Sequence, residues 1–170
     1  MDQSDMMKTC ITYYSRTGNT AMVARTLAEE LGADIIEIKD LKDREGFLSS
    51  FKSSIDAMRE SKTRISPGKV DMDDYDLIYI GSPTWAGKPA PAVITLIDTL
   101  NFMGKDVILF TTMSRQGGEG VIERMGEKIR ARGGRIINSF MIKTGGKELI
   151  EVKEDTLRVI SEKDLLIYES

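Results

Sequence analysis

The sequence contains no histidine and only one cysteine, Cys10. Without histidine the chain lacks the side chain that most often acts as a general base or binds a metal near neutral pH. No Cys/His set exists for a zinc site, and no EF-hand spacing appears, so no metal is expected. A single cysteine forbids an intrachain disulfide. No apolar run reaches the roughly 18 residues of a membrane span, so no membrane partner is expected. Large charge excess is missing too. The 24 Lys and Arg against 27 Asp and Glu leave a formal charge of −3, which gives no reason to expect nucleic acid. The opening residues, "MDQSDMMKTC", show no basic segment followed by an apolar core. They do not read as a signal peptide, and a cytoplasmic location is expected. There is no internal repeat, low-complexity tract or long linker, so residues 1–170 are expected to form a single domain.

What is present alternates in period. "KTCITYY" (8–14) reads as a buried strand. Ala24, Leu27, Ala28 and Leu31 then share one helical face that stops at Gly32. "ADIIEIK" (33–39) is a second strand, more alternating and so nearer an edge. Phe47, Phe51, Ile55 and Met58 fall at helical spacing within 47–59. A polar connection, 61–74, carries Pro67-Gly68 as a turn. "DLIYIGSP" (76–83) is a third strand. Pro89 and Pro91 open a helix whose buried stripe is Val93, Ile94, Ile97 and Leu100. "KDVILFTT" (105–112) and "RIINSFMIK" (135–143) are the fourth and fifth strands. Between them lies a helix with Val121, Ile122, Met125 and Ile129, ended by Gly133-Gly134. A last helix is expected over about 152–167. Five strands alternating with helices predict an α/β fold, a parallel sheet with helices on both faces.

In such folds ligands lie beyond the carboxyl ends of the strands. "SRTGNT" (15–20) sits there after the first strand and enters a helix. Helix-start N–H groups and the helix dipole favour an anion. Ser15, Thr17, Asn19 and Thr20 add donors, and Gly18 permits a tight turn. The Walker lysine and G-x-G-x-x-G are both absent, so a phosphate monoester fits better than a triphosphate. The plainer alternative is that Thr and Asn merely cap the helix.

These residues resemble the FMN phosphate loop of the flavodoxin family, S/T-x-T-G-N-T. Every fixed position is present and Arg16 stands at the variable one. "GSPTWAGKPAPAV" (81–93) stands where that family places its first flavin-ring loop. Its "PTW" is similar to long-chain flavodoxins. Its "KPAPAV" is similar to a flavodoxin-like group with a helical segment after strand two, which 47–59 matches. "MSRQGGEG" (113–120) stands where the second ring loop belongs. The resemblance implies a flavodoxin-like doubly wound five-stranded parallel sheet, order 2-1-3-4-5, covering nearly the whole chain. It implies FMN as cofactor, with the phosphate at Ser15, Arg16, Thr17, Gly18, Asn19 and Thr20. The ring would lie against Ser82, Pro83, Thr84, Trp85, Ala86 and Gly87, and against Thr112, Met113, Ser114, Gly117 and Gly118. Trp85 would be an aromatic wall for the ring, or else an ordinary core or lid residue. The peptides of Ala86 and Gly87 would meet the flavin N5 edge. Gly117-Gly118 would serve the ring, or else form a plain turn.

The second ring loop departs from electron-carrier flavodoxins, which place an aromatic there among acids. Residues 113–120 hold no aromatic and one acid, Glu119. "QGGE" is more similar to flavodoxin-like quinone reductases. Arg16, Lys88 and Arg115 would border the flavin, or else be solvated surface charges. The first expectation is an FMN electron-transfer protein with no catalytic side chain of its own, serving a redox partner protein or a small-molecule acceptor. The alternative is an NAD(P)H-dependent quinone reductase, and a third is a non-catalytic flavin-binding module. Oligomeric state is not decided by the sequence.

Overall fold

A computed structural model describes residues 7–42 and 63–168. The helix expected over 47–59 lies outside the described residues. Strands β1 (Thr9–Tyr14), β2 (Asp34–Asp40), β4 (Leu77–Trp85), β6 (Asp106–Met113) and β7 (Arg135–Lys143) pair in parallel in the order β2-β1-β4-β6-β7. This is the expected order of five. Among the described residues the sheet nevertheless has seven strands. The two-residue β3 (Ile65–Ser66) pairs antiparallel with β2, and β5 (Lys88–Pro89) folds back on β4. Neither carries a run long enough to show strand periodicity, and both exist through local pairing. Helices α1 (Asn19–Leu31), α2 (Pro91–Thr99), α3 (Gly118–Ala131) and α4 (Leu149–Glu162) follow β1, β5, β6 and β7, and a 3₁₀ turn spans Leu165–Tyr168.

The period of two in the central strands divides the core. Cys10 and Tyr14 of β1, Ile78 and Ile80 of β4, and Val107 and Leu109 of β6 face one layer with α2 and α3. Ile11 and Tyr13, Leu77 and Tyr79, and Ile108 and Phe110 face the other with α1 and α4. Both faces are covered, so these strands read as continuous apolar runs. Strand β2 alternates because much of it is exposed.

Two boundaries differ from expectation for physical reasons. Strand β4 runs on to Trp85 because Thr84 and Trp85 pair with Pro89 and Lys88, and α2 therefore starts at Pro91 rather than Pro89. The last helix begins earlier, at Leu149, where Glu148 and Glu151 form a capping box.

Gly81 lies between Tyr13 and Phe110 in the sheet. A Cβ there would fall inside the Phe110 ring, which is itself stacked on Phe140 at 5.5 Å. Gly81→Ala is therefore expected to destabilise the protein by about 1–3 kcal/mol, read as a lower urea midpoint. A wild-type midpoint would show that the ring yields freely.

Candidate functional site

The strand order reverses between β1 and β4, since β2 lies on one side of β1 and β4 on the other. The loops leaving β1, β4 and β6 therefore converge at one end of the sheet, where open α/β sheets hold ligands.

The first loop leaves β1 at Tyr14. Gly18 occupies the cap of α1 at φ 99°, with no side-chain cap, and α1 has no acid in its first turn. Nothing lies within 4 Å of a Cβ placed on Gly18, so glycine is needed there for the left-handed backbone and not for space. The Gly18 N–H donates to Ser15 Oγ at 3.2 Å. The helix ladder begins with Met22 N–H to the Gly18 carbonyl. By helix geometry the N–H groups of Asn19, Thr20 and Ala21 have no partner within the helix. A positive dipole end with no acid in its first turn favours an anion. Thr17 is exposed and Asn19 half-buried. Thr20 is buried, and its hydroxyl pairs with that of Thr112 at 2.7 Å.

The second loop is a hairpin. Trp85 pairs with Lys88 across Ala86 (φ 50°) and Gly87 (φ 73°). Positive φ at both central residues is the mark of a type I′ turn. Trp85 is half-buried against the core. It meets Tyr14 edge to face, centroids 5.6 Å apart, and Arg16 Cζ lies 5.5 Å from its ring centroid. Ser82 has another task than ligand contact. It is fully buried, its Oγ accepts from Ala90 N–H at 3.0 Å, and it donates to the Pro83 carbonyl at 2.8 Å. It thus caps α2, whose own cap residue is Ala90.

The third loop exposes Ser114, Arg115 and Gln116. Gly117 caps α3 at φ 94°, and a Cβ on it would press Gly87 Cα at 3.3 Å. A Cβ on Gly118 would meet the sulfurs of Met141 and Met113 at 2.8 and 2.9 Å. Gly117 therefore lets the third loop touch the second, and Gly118 lets α3 start close against side chains of β6 and β7.

A cleft of about 190 Å³ joins the three loops. Arg16, Thr17, Asn19, Thr20, Pro83, Thr84, Trp85, Thr112, Met113 and Ser114 of the expected residues line it, with Thr144. Gly18, Ser82, Ala86, Gly87, Gly117 and Gly118 do not. Ser15 lines a neighbouring cavity of about 510 Å³ with Tyr14, Arg16, Glu37, Ile38, Lys39 and Asp40. That cavity is larger but takes no wall from the β4 or β6 loops. The smaller cleft carries the helix-end donors and the aromatic wall, and we assign the site to it. Small-molecule sites usually measure about 300–1,000 Å³, so a nucleotide-sized ligand would also lie on the surface beyond the cleft. Sequence reasoning missed Thr144, whose hydroxyl and N–H both donate to the Met113 carbonyl. It also missed Thr111, whose hydroxyl donates to the Ser82 carbonyl at 2.7 Å and pairs with Thr84. The only signal was a polar residue at the end of an apolar strand. Among the described residues, no cluster of acids, cysteine or histidine could hold a metal, and no helix is long and apolar enough to cross a membrane.

This parallel sheet with helices on both faces defines a doubly wound type of α/β protein. The family model described as Flavodoxin matches residues 8–153, and the chain belongs to the flavodoxin family. It is similar to the flavodoxin of Nostoc sp., 26% identical over 136 residues, 74% of this chain and 65% of that protein. It is also similar to Flavodoxin 1 of Escherichia coli, 28% identical over 109 residues, 62% of this chain and 49% of that protein. The chain thus spans less than two thirds of the length of these relatives. Among solved structures, the flavoprotein of Lactobacillus acidophilus in complex with FMN matches at 29% identity, TM-score 0.68, over 79% of this chain and 93% of that one. The WrbA-like flavodoxin of Agrobacterium tumefaciens matches at 15% identity, TM-score 0.65, over 96% and 99%, a likeness of fold.

Removing the Ser82 hydroxyl would leave the buried Ala90 N–H unpaired. Ser82→Ala is expected to cost about 1–3 kcal/mol, measured by urea unfolding. A cost near zero would mean that water or a shifted backbone satisfies that N–H.

Proposed function

We propose that this protein is an FMN-binding electron-transfer flavoprotein. FMN is the cofactor. The observation that carries the reading is the acid-free start of α1 opening into a cleft beside Trp85. An anionic tail and a flat aromatic system on one ligand match that pair of features. The backbone N–H groups of Asn19, Thr20 and Ala21 hold the phosphate, with Ser15, Thr17 and Asn19 side chains around it. Trp85 supplies a stacking wall. When bound, FMN supplies one- and two-electron redox chemistry, and the protein supplies binding and tuning. Among the described residues, the cleft lining holds hydroxyls, an amide and a guanidinium but no acid. That lining suits electron exchange with a partner better than acid–base chemistry.

One observation favours the second reading, an NAD(P)H-dependent quinone reductase. Ser114, Arg115 and Gln116 are exposed, and residues 113–120 hold no aromatic. An uncovered ring face would admit a nicotinamide or a quinone. Steady-state NADH and NADPH oxidation with quinone acceptors separates the two readings. Turnover well above that of free FMN would replace the carrier by the reductase.

The phosphate assignment is tested by the double variant Thr17→Ala with Asn19→Ala. It is expected to weaken FMN about tenfold or more, as charge-assisted hydrogen bonds are lost, and to leave riboflavin nearly unchanged. Equal losses for both ligands would sink the assignment.

Trp85 is the only tryptophan, so its emission reports on it alone. FMN is expected to quench it strongly, and Trp85→Ala to cost about 1 kcal/mol or more in flavin affinity. Unchanged emission on titration with FMN would put the ring elsewhere.

A further inference from the structure

Thr20 and Thr112 lie 92 residues apart in sequence, and both are buried. Their hydroxyl oxygens are 2.7 Å apart. Thr20 is the second residue of α1, and Thr112 stands on β6 between Pro83 of β4 and Ile142 of β7. Both line the three-loop cleft. A pair of hydroxyls holds two hydrogens, and the bond between them uses one. Among the described residues, neither hydroxyl has another hydrogen-bond partner. The pair therefore keeps one donor without a protein acceptor at the border of the cleft.

Which residue keeps the spare hydrogen decides what the pair serves. If Thr20 donates to Thr112, the spare hydrogen sits on β6. If Thr112 donates to Thr20, it sits at the start of α1, on the residue whose N–H is assigned to the phosphate. We propose that Thr112 is a positioning residue for the phosphate, a role that rests on the FMN reading of the site. It donates to Thr20 Oγ1 and so leaves the Thr20 hydrogen for the anion.

The anion itself selects this arrangement. A hydrogen bond to a charged oxygen is roughly twice as strong as one between neutral groups. A chain of two hydroxyls ending on that oxygen gains further, since each bond polarises the next. Thr112 suits the first place in the chain. Pairing with β4 and β7 fixes its backbone on both sides, and a β-branched side chain has few rotamers. A flavin without phosphate offers no charge at this end. Thr112 thus favours FMN over riboflavin from outside the phosphate loop.

The test is a double-mutant cycle on the full chain, read with FMN, riboflavin and inorganic phosphate. Thr112→Val keeps the shape of the side chain and removes its hydroxyl. It is expected to weaken FMN about three- to tenfold, a partial loss of one charge-assisted bond, and to leave riboflavin within about twofold. Thr112→Ser should restore FMN affinity. In a Thr20→Val background, Thr112→Val should cost nothing further, because the hydrogen it orients is gone. Inorganic phosphate, followed on the flavin-free chain by the rise of the urea midpoint, should lose affinity in the same variants. Thr112→Ala runs the same cycle if valine lowers stability. Losses that add in the double variant would overturn the proposal, since Thr112 would then act on the ligand by itself. Equal weakening of FMN and riboflavin would overturn it too, making Thr112 a ring contact, as would an unchanged FMN affinity in Thr112→Val. A wild-type chain that binds phosphate but neither flavin sinks the FMN reading alone, and the cycle is then decided on phosphate. Binding of neither phosphate nor FMN overturns both.

Discussion

Parallel pairing of the five long strands is the constraint on which the site depends. Each parallel neighbour obliges the chain to return over a face of the sheet before the next strand can start. All strand-to-helix loops therefore leave from one end. In this chain that end receives "SRTGNT", the Trp85 hairpin and the exposed residues 114–116. Burial on both faces makes the arrangement rigid. Tyr13, Tyr14, Tyr79 and Phe110 are all at most 2% exposed, so the loop stems are anchored in packed core. The functional groups vary above a frame that cannot shift without opening two apolar layers.

The strand ends solve a second problem. Hydroxyls replace hydrocarbon where the core gives way to the cleft, and a buried hydroxyl without a partner costs roughly 1–3 kcal/mol. Thr20 pairs with Thr112, Thr84 with Thr111, and Thr111 donates to the Ser82 carbonyl. These bonds stitch α1 to β6 and the β4 hairpin to β6. The pairing also has a chemical result. When one hydroxyl of the Thr20–Thr112 pair donates to the other, the acceptor keeps its own hydrogen free to point into the cleft.

Much of this is legible in the sequence because it rests on long-range periodicity and on one dense motif. The apolar runs at 9–14, 77–82 and 107–113 match strands buried on both faces. Crowding of hydroxyls between Ser15 and Thr20 singles out, by residue type and position alone, the loop that leads into α1. Features made by two residues are not legible. Strand β5 exists because Ala86 and Gly87 turn the chain back onto Thr84 and Trp85, and nothing in "AGKP" states a pairing register. The same holds for Ser82, Gly117 and Gly118. Ser82 caps α2 through Ala90, Gly117 lets its loop touch Gly87, and Gly118 packs on Met113 and Met141, contacts that the local sequence does not state.

The hairpin that carries Trp85 holds a local conflict that the surroundings resolve. Ala86 sits at φ 50°, a left-handed conformation that costs a residue with a Cβ about 1–2 kcal/mol. Isolated, a two-residue turn with alanine at that position would relax. Here Trp85 and Thr84 are paired with Lys88 and Pro89 on the far side of the turn. Gly87 is pressed by α3, where a Cβ on Gly120 would lie only 2.6 Å from the Gly87 carbonyl oxygen. The turn is thus held from both ends by contacts that leave it no other shape. Two glycines, Gly117 of the third loop and Gly120 of α3, set the position of the second loop. Trp85 is thus placed by its pairing with Lys88 on one side and by a turn that α3 packs against on the other.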